Sequence, residues 1–207
     1  MVETQIASAM ATVDENAIAT NAKLDDIAHR MAALSNWMEA MSTTTTDLKN
    51  TGMVVVIDIG DPHNVHPKNK QEVSRRLALQ AKANVYDMDV VCDGPIYMSM
   101  TVEVSAIRLH FKSLGVGLAA RGGGPLKGFV IAGADRKFVP AEAVVDGDSI
   151  LVRSESIVSP VAMRYAWEMN PDCNLINRAD LPASPFRTDA WPFWQGVHDQ
   201  QSAEDGG

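Results

Sequence analysis

The texture of the chain changes near Asp93, and that change constrains the fold more than any other feature. Before it, "MVVVIDI" at 53 to 59 is a continuous β-branched run, the pattern of a strand buried on both faces of a parallel sheet. A loop follows, and then a helix with Asn69 as N-cap, Glu72 three residues later, and Val73, Leu77, Ala81 and Val85 along one face. After Asp93 the segments are short, alternating and separated by turn residues, which predicts a small antiparallel β domain. "IRLHF" alternates Ile107, Leu109 and Phe111, and "VAMRYAW" alternates Val161, Met163, Tyr165 and Trp167. "VVDGDSILV" predicts a hairpin turning at Asp146-Gly147. The fold class is therefore α/β followed by all-β.

The two ends of the chain read differently. From Ile6 to Met41 apolar or small residues recur with alternating 4/3 spacing, which predicts one long helix packed on its own domain or self-associating through residues 1–41. "STTTT" at 42 to 46 ends that pattern, because β-branched and hydroxyl side chains compete with helical backbone bonding. From Pro182 onward the chain is too rich in proline to predict regular structure, and "DQQSAEDGG" reads as a flexible end.

Composition removes several function classes. A formal net charge of -8 leaves no basic field for a phosphate backbone, so nucleic acid is not an expected partner. No apolar run reaches the roughly 20 residues of a membrane helix, and "MVETQIASAM" lacks the regions of a signal peptide. Cys92 and Cys173 have neither disulfide-scaffold density nor metal-ligand spacing; free thiols are expected, with one long-range disulfide as the alternative. His29, His110 and His198 lie in unrelated segments, so no metal or other cofactor is expected.

Chemistry gathers in the loop "GDPHNVHP" at 60 to 67. In open α/β sheets ligands meet the loop at the carboxyl end of a strand, where His63 and His66 fall. A histidine there can serve as general base if a carboxylate fixes its tautomer, and Asp58 and Asp61 are nearby in sequence. Two ordinary loop histidines would satisfy the same local pattern.

"NTGMVVVIDIGDPHNVHPKNKQEVSRRLALQA" resembles the C-terminal part of the catalytic domain of sialate O-acetylesterases, carbohydrate esterases of the SGNH-hydrolase class. "GPIYMSM", "GFVIAGADRKFVPAEAVVDGD", "PVAMRYAWEMNPDCNLIN" and "DLPASPFRTDAWP" then resemble the family's β region in order and spacing, and "WMEAM" at 37 to 41 resembles a trace of its preceding helix. The resemblance runs from about Thr51 to Pro192. It implies the last strand and helix of a flavodoxin-like domain at 49–92 and a β-sandwich-like accessory domain at 93–192. A helical segment at 1–48 and a flexible tail at 193–207 flank them. The substrate it implies is an O-acetylated carbohydrate. The family is often extracytoplasmic, but no export signal is visible, so localisation is left open.

The resemblance also sorts the histidines. His66, followed by Pro67, falls on the family's catalytic histidine and inherits the base role, while His63 inherits nothing. Where the family carries an aspartate two residues earlier, this chain has Asn64, with Asp61 as a candidate substitute acid. In serine proteases the corresponding acid-to-amide change costs on the order of ten thousandfold in turnover. The serine-bearing nucleophile block, which the family places after the first strand of its catalytic domain, has no counterpart before residue 51. Ser149 in "GDSI" sits in a hairpin and Ser35 on the heptad helix, so neither has the strand-to-helix turn a nucleophile needs. Trp167, Trp191 and Trp194 can stack on sugar faces in principle, but packing is the expectation for them. The expected activity is carbohydrate O-acetyl ester hydrolysis only when a complementary N-terminal half supplies the serine. An inactive glycan-binding or structural β module is the alternative.

Overall fold

A computed structural model describes residues 48–61, 64, 66–168 and 170–191. The expected heptad helix and Ser35 within residues 1–47, His63, and Trp194 with the rest of 192–207 lie outside the described residues. Within Thr45–Ala190, which forms one compact unit, the structure is mostly antiparallel β with one α-helix among the described residues.

That helix, α1, spans Lys70–Asn84, and Asn69 caps it as expected: its side chain accepts the Glu72 N–H at 3.0 Å. The face it buries is not the expected one. Arg76 and Gln80 are buried and Glu72 and Asn84 half-buried, whereas Leu77 and Val85 are about half exposed. The polar stripe wins because its neighbours are backbone carbonyls and carboxylates that need donors. Gln80 donates to the Cys92 carbonyl at 3.0 Å and to Asp93 at 2.7 Å, and Asn84 donates to Gln80 at 2.8 Å.

The run at 53 to 59 also departs from expectation, for it forms no strand. Ile59 N–H donates to the Val56 carbonyl at 3.2 Å, so the chain turns at Ile57 and Asp58. β-branched propensity supplies the side chains for a strand but not the neighbouring ladder, and no described segment pairs with this run.

The β part follows the alternation in "IRLHF" and "SILV", but Val161 of "VAMRYAW" lies outside any strand and is exposed. One sheet has the order β1 (Ile96–Glu103), β2 (Ala106–Lys112), β7 (Ser149–Arg153), β6 (Glu142–Asp146). A second runs β10 (Phe186–Arg187), β8 (Ala162–Tyr165), β4 (Phe129–Ala132), β5 (Phe138–Pro140), and β3 (Leu118–Ala120) pairs with β9 (Leu175–Asn177). All pairings are antiparallel. Ile107, Leu109 and Phe111 of β2 and Ile150 and Val152 of β7 share one core with Phe129, Ile131, Met163, Tyr165 and Leu175. The predicted β6–β7 hairpin is present, with Asp146 opposite Ser149 and Gly147 at φ 61°, a backbone state that favours glycine.

Two details of the last third differ from the pattern. Strand β8 stops at Tyr165, because Ala166 adopts φ 50° and turns the chain, leaving Trp167 half-buried with the Arg187 guanidinium 5.4 Å from its ring. The proline-rich segment is not wholly irregular. Phe186 of β10 stacks on Tyr97 at 4.6 Å and meets Phe111 edge-on at 5.7 Å, while Arg164 and a nearly fully buried Asp189 form a two-pronged ion pair at 2.8 Å. Asn177, fully buried, joins this region to the start of the sheet: it donates to the Asp93 and Ser113 carbonyls and accepts from Ala179 and Leu181. Gly94 packs so closely on Pro182 that a Cβ would lie 1.9 Å from its carbonyl oxygen.

Candidate functional site

The loop carrying His66 leaves the turn at Ile57–Asp58 and ends at the Asn69 cap of α1. Its first part is held by its own backbone and side chains. Asn64 N–H donates to the Asp61 carbonyl at 3.2 Å, and the Asp61 carboxylate is bridged by Lys68 Nζ at 2.9 Å. His66 is exposed, and its backbone N–H donates to Asn64 Oδ1 at 2.9 Å.

The structure therefore brings Asp61, Asn64 and His66 into one loop and assigns Asn64 a specific task. Its side-chain oxygen forms an Asx-type turn with the backbone of His66. No described side chain hydrogen-bonds the His66 imidazole. An aspartate at position 64 could accept the same backbone bond, so the asparagine serves this turn equally well without supplying the negative charge an imidazolium needs.

A charge cluster joins the turn at Asp58 to α1. Arg76, 1% exposed, donates to both carboxylate oxygens of Asp58 at 2.6 and 2.7 Å, to the Val55 carbonyl at 2.6 Å and to Glu72 at 2.7 Å. Arg121, just after β3, shares the Asp58 Oδ2 oxygen with Arg76, reaching it at 3.1 Å, and also holds Asp180 at 3.1 Å. Burial works to lower the Arg76 pKa, but the bonds from Asp58 and Glu72 outweigh it and raise it. Glu72 is held down at about 2, chiefly by its hydrogen bond from Arg75 against an opposing desolvation, with Arg76 adding to the effect.

Sequence reasoning noted Asp58 only as a carboxylate near two histidines. The available signal was Asp58 itself: a carboxylate inside an apolar run must find a cation if it is buried. Arg76 lies one helical turn after Glu72 and on the same face, which puts a guanidinium where that carboxylate needs it.

The other residues singled out from sequence serve structure. Ser149 accepts from Arg108 at 2.8 Å and donates to the Asp146 carbonyl at 2.8 Å, which closes the hairpin. Cys92 and Cys173 are free thiols whose pKa values burial pushes up, which disfavours the reactive thiolate. Among the described residues no group of His, Cys, Asp or Glu could hold a metal ion, and no helix is long and apolar enough to cross a membrane. An open cleft of about 760 Å³ lies at the edge of the first sheet, lined by Ser105, Glu142, Arg153, Ser154, Ser156 and Val158 among others.

The crystal structure of a carbohydrate acetylesterase from Xanthomonas citri is similar to this chain: the two share 47% sequence identity, with a TM-score of 0.69 over 72% of this chain. The matched part is 35% of the Xanthomonas protein, so this chain spans about a third of that protein's length. No protein-family model and no curated protein matches the sequence. The likeness supports a carbohydrate esterase relationship for this chain.

Proposed function

We propose that this chain supplies the histidine loop and β region of a carbohydrate O-acetylesterase of the SGNH class, acting on sialate-type O-acetylated sugars. The observation that carries the reading is 47% identity over 72% of the chain to the carbohydrate acetylesterase from Xanthomonas citri. In this reading residues 49–92 are the C-terminal part of a flavodoxin-like catalytic domain, and residues 93–192 are a sandwich-like accessory domain. The unladdered β-branched run at 53 to 56 and the exposed apolar residues Leu77 and Val85 support it. Both are what an α/β element shows when the rest of its layer is contributed by another segment.

The chemistry assigned to the chain is that of the base. A serine from a complementary half attacks the ester carbonyl, and its proton passes to His66. His66 then returns the proton to the departing sugar oxygen, after which water releases acetate from the acyl serine. Asn64 sets the backbone of His66, and Asp61 is the nearest candidate acid in sequence. Hydrolysis of an aryl acetate is expected to be absent from the chain alone and to appear when a serine-bearing half is added. His66→Ala should then abolish it; robust hydrolysis by the lone chain, or hydrolysis by the paired halves that survives His66→Ala, would defeat the proposal.

A second reading rests on the cleft beside β6 and β7. Its serines and the Glu142–Arg153 pair, at 3.0 Å, offer donors and acceptors to sugar hydroxyls with little net charge. Glycan binding that persists in His66→Ala and is lost in Glu142→Ala would favour a binding module.

A further inference from the structure

We infer that the β region sets the position of the His66 loop through Arg121, with Asp58 and Arg76 as the link, so that Arg121 and Arg76 are positioning residues for that histidine. The inference rests on the reading of His66 as the base. The loop is strung between two anchors, Asp58 before it and the Asn69–Glu72 cap after it. One buried guanidinium, that of Arg76, holds both: it grips Asp58 with two bonds and Glu72 with a third. With both ends held by one planar fork, the loop cannot shift at one end without straining the other.

That grip fixes the loop only to α1. Arg121 extends it to the β region, where Arg121 is itself held on several sides. Its backbone N–H donates to the Asn174 carbonyl at 2.8 Å, and its side chain bonds both the Asp180 carbonyl and carboxylate at 3.1 Å. Ile57, next to Asp58, packs against the β core, so an apolar contact and an ion pair fasten the same turn. Arg121 Nε is buried with no hydrogen-bond partner among the described residues. A buried donor left unpaired is unfavourable, so the side chain holds this pose for its terminal nitrogens, which reach Asp58 and Asp180. A β region that only bound glycan would have no need of this link.

The test is backbone ¹⁵N relaxation on the full chain, read at Ile59, Gly60, Asp61, Asn64, His66 and Lys68 against β2 and β8. In the parent, order parameters across the loop should approach the rigid level, about 0.85. In Arg121→Ala they should fall below about 0.6 while β2 and β8 stay unchanged, and Arg121→Lys should recover part of the loss. Lys127→Ala, which removes the exposed pair with Asp172, should change neither. If Arg121→Ala does not fold, Arg121→Gln, which keeps most of the side-chain volume, decides the matter by the same criterion. A loop that is mobile in the parent, that is unaffected by the substitution, or that loosens only together with β2 and β8 overturns the inference. An acetyl-ester assay of His66→Ala with the complementary half separates the two ideas. A loosened loop beside unchanged hydrolysis in that variant sinks the base reading alone, and an unmoved loop beside lost hydrolysis sinks the brace alone.

Discussion

The β region and the helix-loop region are held together by opposite means. In the β region the strands turn apolar residues into one core, and buried polar side chains such as Asn177, which makes four hydrogen bonds, are few. In the helix-loop region the buried positions of α1 are Arg76 and Gln80, with Glu72 and Asn84 half-buried beside them, while Leu77 and Val85 are about half exposed. Burial of apolar area is non-directional and tolerates small shifts, whereas a charge-assisted network is favourable in only one geometry. The second kind of packing suits a loop whose position has to be set.

This contrast can be broken most directly at Arg76. Arg76→Ala leaves Asp58 and Glu72 without their main partner in a buried setting and should cost about 4 kcal/mol in urea unfolding. A loss under about 1 kcal/mol would mean the network is incidental. Leu109→Ala, the equivalent break in the β core, should cost about 3 kcal/mol by the same measurement, because Leu109 is fully buried and its removal leaves a cavity.

Next in size is the acid response. The folded pKa of Glu72 lies at about 2, below its ordinary value, so its stabilisation is present above about pH 4.5 and is lost as pH falls toward 2. Arg75 is partly exposed, which limits the effect through solvent screening to about 2 kcal/mol. Unfolding of the parent and Glu72→Gln at a series of pH values should show a gap at neutral pH that narrows below about 4.5 and closes toward 2. A gap that holds constant to pH 2.5 would contradict this.

The smallest effect sharpens the contrast from the other side. Leu77→Ala should change stability by less than about 0.5 kcal/mol, since the side chain is 51% exposed. If Leu77 were the packing residue that helical periodicity suggests, the loss would be 2 kcal/mol or more by the same principle of core truncation.

Much of the β region was legible because its signal is local. "IRLHF" and "VVDGDSILV" carry period-two alternation and a two-residue turn, and both appear as expected. The Asn69 cap was legible for the same reason, since donor and acceptor lie three residues apart. The strand at 53 to 59 was misread because a strand is completed by its neighbours, and none is present among the described residues. The short β10 strand was hidden by surrounding prolines, since its pairing depends on Tyr165 and its burial on Tyr97, far away in sequence. At the candidate site, the sequence suggested which residues to consider, Asp61, Asn64 and His66. Only the fold showed that Asn64 bonds the His66 backbone.

By itself the sequence determined the β texture, the hairpin turn, the helix cap and the family resemblance, since each depends on spacings within a few residues or on strings read in order. Tertiary structure alone decided which face of α1 is buried and what surrounds Asp58. Arg121 lies far from both in the chain, and the free energy of a buried carboxylate depends on the cations that folding brings beside it, not on its neighbours in sequence.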